Sequence, residues 1–175
     1  AVPGDRSATV SWTAPADNGG SPVTGYTVTS SPASLGATVN GAGTSVVVTG
    51  LTNGTPYTFT VHATNVAGDS AESGASSAVT PSTVPGKPTG VSAVGGNSAA
   101  TVSWTAPTDD GGAPITGYTV TSSPGGVTKT VAGDQSQAVV TGLTNGTSYT
   151  FTVVATNVSG DSAASTPGRL TIWWT

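Results

Sequence analysis

Few side chains in this chain of 175 residues have the type and spacing to do chemistry. The single histidine, His62, lies in Tyr57-Thr58-Phe59-Thr60-Val61-His62-Ala63, where Tyr, Phe, Val and Ala alternate with Thr, Thr and His. Acid-base or nucleophilic catalysis needs such a group to converge with a carboxylate or nucleophile. The alternation instead puts His62 on the outward face of a strand, and Val154 takes its place where the same strand recurs. An exposed, non-catalytic histidine is expected. Cysteine is absent, which rules out disulfides and thiolate metal sites, and the eight acidic residues are scattered over loops. No enzyme activity and no cofactor are expected.

Two loops carry acidic residues beside glycines: Asp17-Asn18-Gly19-Gly20 and Asp109-Asp110-Gly111-Gly112. Hard oxygen ligands on a Gly-rich loop suit calcium, but that ion needs six or more oxygens and each loop offers one or two carboxylates. A turn in which Asp and Asn accept hydrogen bonds from nearby backbone N–H groups is the stronger reading. Asn53-Gly54-Thr55 and Asn145-Gly146-Thr147 match the glycosylation acceptor pattern, yet they stand where a tight turn calls for Asn-Gly.

Leu170, Ile172, Trp173 and Trp174 form an apolar C-terminal run, Arg169-Leu170-Thr171-Ile172-Trp173-Trp174-Thr175. Adjacent strand residues face opposite ways, so at most one of the two Trp residues can enter a core. The plain expectation is a last strand with a spare surface Trp. The sharper one is a partner contact: the tail pairs with an exposed sheet edge on another copy and gives head-to-tail assembly by strand addition. A sugar-stacking platform would need further neighbours on one face.

The elements that hold these residues are repeated. Sliding the chain by 92 positions superposes Ala1–Ser70 on Ala93–Ser162 without a gap, and about two-thirds of the positions are identical. That period is too long for a solenoid unit and suits a small domain, so two domains of one fold are expected in tandem. Ala8-Thr9-Val10-Ser11-Trp12-Thr13-Ala14-Pro15 returns as Ala100-Thr101-Val102-Ser103-Trp104-Thr105-Ala106-Pro107. Each copy alternates Ala, Val and Trp with Thr and Ser, which is a half-buried strand that stops at a proline. A turn follows, then Val23-Thr24-Gly25-Tyr26-Thr27-Val28-Thr29 with Tyr26 and Val28 inward, as Tyr118 and Val120 are in the second copy. The copies differ most over 30–45 and agree again at Val47-Val48-Thr49-Gly50-Leu51 and Val139-Val140-Thr141-Gly142-Leu143.

Composition agrees with an all-β chain. Charged residues are only 7%, Gly, Thr, Ser, Val and Ala dominate, and no stretch shows helical periodicity. The net charge of −4 comes with no Lys/Arg cluster, so nucleic acid is an unfavourable partner. No run of 18 apolar residues occurs, so no membrane insertion by a helix is expected. The chain has no Met and its first residues lack the regions of a signal peptide, which is expected of a processed product, a fragment or an engineered piece.

Each copy resembles a fibronectin type III domain. The resemblance rests on Trp12 and Trp104, Tyr26 and Tyr118, Leu51 and Leu143 before a turn, Tyr57 and Tyr149 opening a later strand with Phe59 and Phe151, and the Asn-x-x-Gly that follows. It implies seven strands in two packed sheets, a core built on those ten residues, and a Tyr that hydrogen-bonds back near the bend between the fifth and sixth strands. The Asp/Gly/Gly/Pro turns and Thr-Gly-Tyr-Thr-Val-Thr are similar to bacterial members from secreted and cell-surface proteins, which implies an extracellular location. Some animal members carry Arg-Gly-Asp-Ser where this chain has Ala67-Gly68-Asp69-Ser70 and Ser159-Gly160-Asp161-Ser162, and neither copy has the Arg.

The expected division is domain one at 1–80, a Pro-rich linker at 81–88 that favours extended backbone, and domain two at 89–175. Ala1 aligns with Ala93, so most of the first strand of domain one is missing. The implied function is a spacer, stalk or fibre-building repeat whose partners are other domains of the same parent protein. A polysaccharide- or protein-binding module that self-associates head to tail is the competing class.

Overall fold

The structure is a computed structural model that describes residues 1–171. Ile172, Trp173 and Trp174 lie outside the described residues. All regular elements among the described residues are β-strands, and the chain divides into two compact units, Ala1–Thr83 and Val84–Thr175.

Unit 1 contains β1 (Val2–Gly4), β2 (Ser7–Ser11), β3 (Gly25–Ser31), β4 (Gly36–Asn40), β5 (Ser45–Thr49), β6 (Thr58–Asn65) and the two-residue β7 (Gly68–Asp69). Its strands form two antiparallel sheets, β1-β2-β5 and β4-β3-β6-β7. Side chains alternate, so each sheet turns one face inward. Ala8, Val10 and Val48 from one sheet meet Val28 and Phe59 from the other, with Leu51 and Tyr57 closing the core. Tyr26 is also buried.

Unit 2 repeats this plan with β8 (Thr89–Gly96), β9 (Ala99–Thr105), β10 (Gly117–Ser123), β11 (Thr128–Ala132), β12 (Gln137–Thr141), β13 (Ser148–Asn157), β14 (Gly160–Asp161) and β15 (Gly168–Thr171). Its sheets are β12-β9-β8 and β11-β10-β13-β14, with β15 also on β13. β14 and β15 are the two ends of one last strand along β13, so each unit is a seven-stranded sandwich. Trp104, Tyr118, Leu143, Tyr149 and Phe151 are all buried in one cluster with Val102, Val120, Val140 and Val153. Each unit therefore has a core of its own.

The corner tyrosines bond as the resemblance implies. The Thr52 N–H donates to the Tyr57 hydroxyl at 3.1 Å, and the Thr144 N–H donates to the Tyr149 hydroxyl at 3.0 Å. This satisfies a backbone donor at a turn that no ladder reaches.

The first strands differ between the units. β1 has three residues and β8 has eight, and the registers Val2↔Thr9 and Val94↔Thr101 keep the repeat's offset. Val91, near the start of β8, packs against the core of unit 2. The Trp12 indole packs against the core of unit 1 and is half-buried, whereas Trp104 is 5% exposed.

Residues 81–88, the expected linker, are held by the units on either side. Pro81 is buried and its carbonyl accepts the Gly54 N–H at 2.9 Å, within unit 1. Pro85 and Pro88 are buried in unit 2.

Candidate functional site

The loops with the most polar side chains meet at one end of unit 1. The turn after β2 runs from Ala14 to Pro22, and the β6–β7 loop turns at Val66-Ala67. Asp17 Oδ1 accepts the Gly19 N–H at 2.8 Å, and Asn18 Oδ1 accepts the Gly20 N–H at 3.0 Å. Gly19 and Gly20 have φ of 67° and 80°, a region that glycine enters without a Cβ penalty. Asp109 and Asp110 do the same for Gly111 and Gly112 at 2.8 Å each. The acidic side chains thus have the turn role expected of them. Among the described residues no group of three or more His, Cys, Asp or Glu side chains is arranged to hold a metal ion.

Asn65 ties the two loops of unit 1 together. Its Nδ2 donates to the Asn18 carbonyl at 2.8 Å, and its Oδ1 accepts the Ala67 N–H at 2.8 Å. Asn157 makes the same pair of bonds in unit 2, to the Asp110 carbonyl and from the Ser159 N–H. In the Gly-Asp-Ser loop, Asp69 accepts the Thr64 hydroxyl at 2.6 Å. Between the loops of unit 1 lies an open cleft of about 390 Å³, lined by Pro15, Asp17, Gly19, Asn65, Gly68 and their neighbours.

His62 stands beside this end of β6, on the outward face as expected, paired across the sheet with Thr27. It is less exposed than its position suggested. Nδ1 lies 2.8 Å from Glu72 Oε1 and Nε2 lies 4.0 Å from Asp69 Oδ1, and the side chain is 20% exposed. The hydrogen bond from His62, with a second from Thr60, holds the Glu72 carboxyl below the usual carboxylate range. The two acids sit on opposite ring nitrogens, so the imidazole is clamped between them and does not converge with them on a third atom.

The two Asn-Gly turns are also structural. Asn53 Nδ2 donates to Asp5 Oδ1 and its Oδ1 accepts the Arg6 N–H, each at 2.8 Å, which ties this turn to the β1–β2 hairpin. Asn145 bonds Asn97 and the Ser98 N–H in the same way. Leu170, from the apolar C-terminal run, lies opposite Tyr149 in the β13–β15 ladder and packs against the core of its own unit.

A feature the composition did not announce runs along the edge of β6. Ser70, Ser73 and Ser76 each donate a backbone N–H to β6, to the carbonyls of Ala63, Val61 and Phe59. Their hydroxyls accept the N–H groups of the same three residues at 3.0 to 3.1 Å. Three residues of this segment therefore match two of the strand, and a serine at every third position carries the ladder through the mismatch. Ser162 and Ser165 do this along β13 in unit 2. The spacing of three was the available signal.

The fibronectin type III domain model matches residues 2–79 and again residues 86–171. The chain belongs to the fibronectin type III family. The chain is 41% identical to chitinase A1 of Niallia circulans over 169 residues, which is 91% of this chain and 22% of that protein. It is 37% identical to exoglucanase B of Cellulomonas fimi over 170 residues, 91% of this chain and 15% of the relative. Exoglucanase A of Cellulomonas fimi is 43% identical over 167 residues, 89% of this chain and 18% of its own length. The chain thus spans less than a quarter of the length of these relatives. A crystal structure of titin domains shares the fold, with a TM-score of 0.60 and 24% identity, over 89% of this chain and 56% of that one.

Proposed function

We propose that this tandem pair is a non-catalytic, extracellular spacer in a larger glycan-directed protein, where it holds other domains apart. The observation that carries the reading is coverage. Sequence of this kind makes up 15 to 22% of a chitinase and two exoglucanases, and a segment that small leaves most of each chain for other tasks. The side chains support it. The aromatics common to both repeats are spent on the two sandwich cores, the loop carboxylates and amides on their own turns, and His62 on a clamp. The outward strand faces carry Thr and Ser in place of charge, which suits a module that passes its neighbours without capturing them.

The test is a sedimentation assay on insoluble chitin and cellulose, with release of soluble sugar followed in the same tubes. A spacer stays in the supernatant and releases no sugar. Retention on either polymer would replace the spacer with a binding module, and sugar release would overturn the non-catalytic reading.

A further inference from the structure

Asparagine followed by glycine is a pair in which a polypeptide can modify itself, because a residue without a Cβ leaves its main-chain nitrogen open to the preceding carboxamide. The pair occurs at Asn18, Asn40, Asn53 and Asn145. The dipeptide alone ranks the four alike, and the fold does not.

Three of the carboxamides are held. Asn53 accepts the Arg6 N–H and donates to Asp5, each at 2.8 Å, so its side chain is committed to a distant hairpin. Asn145 is committed in the same way to the Ser98 N–H and Asn97, each at 2.9 Å, and both asparagines are half-buried. Asn18 Oδ1 accepts the Gly20 N–H at 3.0 Å, while Asp17 engages the N–H of Gly19. Each of these side chains must give up its bonds before it can turn onto the nitrogen of its own neighbour.

Asn40 is different. It is exposed at the end of β4, the edge strand of its sheet, and among the described residues no hydrogen bond holds its carboxamide. Its partner across the ladder is Gly25, which brings no side chain to pin it. Asn40 Oδ1 lies 3.9 Å from the place a Cβ on Gly25 would take, so the carboxamide has that gap to move in. The Gly41 N–H donates to the Thr24 carbonyl at 2.8 Å, beyond the end of the β3–β4 ladder, and residues 41–45 are exposed. A bond at the end of an edge ladder opens at small cost. Gly41 has φ of 70° and open space where a Cβ would stand.

We propose that Asn40 is a site of spontaneous deamidation and the fastest of the four Asn-Gly pairs. The Gly41 main-chain nitrogen gives up its proton and attacks Asn40 Cγ. A C–N bond forms, the Cγ–Nδ2 bond breaks, and ammonia leaves with the proton. Water then opens the resulting succinimide at either of its carbonyl carbons, which gives aspartate or isoaspartate at position 40 and consumes no oxidant or reductant. The isoaspartate form adds a carbon to the main chain at the last residue of β4. Either acid puts a negative charge on an edge strand that has none, and charge on an edge discourages pairing with another sheet. Unit 2 has Ala132 at the matching position, opposite Gly117, and already carries Lys129 on that edge. None of this rests on the spacer reading.

The test incubates the intact chain in mildly alkaline buffer made with oxygen-labelled water, and follows each asparagine side-chain amide by NMR and the product by mass spectrometry. Asn40 is expected to convert roughly tenfold or more faster than each of the other three, because only its carboxamide is free to reach the attacking nitrogen. Each conversion should release one ammonia and take up one labelled oxygen. In denaturant the four rates should converge, since the anchoring bonds are gone. Asp5→Ala removes one bond from the Asn53 carboxamide and is expected to speed conversion there while Asn40 keeps its rate. Conversion of Asn18, Asn53 or Asn145 as fast as Asn40 in the folded chain overturns the proposal. So does a ranking that survives in denaturant, or an Asn53 rate that Asp5→Ala leaves unchanged.

Discussion

Trp104 leans on Tyr118 with ring centroids 5.1 Å apart and planes at 51°, and Trp12 meets Tyr26 in the same way at 5.2 Å and 55°. Neither indole Nε1–H has a hydrogen-bond acceptor among the described residues. Both therefore contribute through packing and tilted ring contact. Trp104→Ala is expected to cost unit 2 about 3 to 5 kcal/mol, the usual result of emptying a large core site. Trp12→Ala should cost unit 1 distinctly less, because part of its surface already faces water. Denaturant unfolding of the separate variants, with NMR signals from each unit, measures both.

Tyr149→Phe removes the acceptor for the Thr144 N–H and leaves the ring in place. The loss should be about 1 to 3 kcal/mol, the cost of a part-buried donor without a partner. Tyr57→Phe tests the same bond in unit 1, where the Thr52 N–H is the donor. Thermal unfolding of both variants checks the prediction, and equal loss in the two units is expected.

The serine ladder predicts an asymmetry between the units. Ser165 is buried and accepts the Val153 N–H at 3.0 Å, whereas Ser73 is exposed and does the same for Val61. Ser165→Ala should cost about 1 to 3 kcal/mol and speed amide exchange at Val153, because water cannot reach the orphaned donor. Water can replace the hydroxyl at Ser73, so Ser73→Ala should cost less and leave the midpoint of unit 1 nearly unchanged.

Glu72 predicts a small dependence on pH. Its hydrogen bond from His62 lowers the carboxyl's affinity for protons in the folded state. The stabilisation is therefore present above the unfolded carboxyl's titration and is lost as pH falls through the folded one. The pair is at the surface and Glu72 is about half exposed, so the whole effect should stay below about 1 kcal/mol. Glu72→Gln is expected to lower the midpoint of unit 1 at neutral pH and to match the parent in strong acid. A difference that persists in acid would mean that the glutamate acts by packing and not by charge.

Periodicity was enough to read most of the sandwich. Alternation in Ala8–Pro15 and Tyr57–Ala63 places one face of each strand inward, and Ala8, Val10, Tyr57 and Phe59 are buried in the structure. The Asx turns at Asp17 and Asp109 were legible for the same reason, since their bonds reach only two residues along the chain. Asn53 and Asn145 were read only in part. Their turns are local, but their side chains bond a hairpin 47 and 48 residues away. His62 was placed on the correct face, while its clamp by Glu72 depends on where the segment after β7 crosses the sheet.

The order of residues along this chain determined two all-β repeats, their inward faces and their turns, because a strand's period of two and a turn's local bonds act between near neighbours. Tertiary structure decided which of two almost identical surfaces is covered. Trp12 and Trp104 occupy the same place in the same pattern, yet the first is half-buried and the second is 5% exposed. In unit 2 the segment Val84–Val91 reaches this flank only when the sandwich folds, with the Gly86 N–H on the Asp109 carbonyl and Val91 packed against the core.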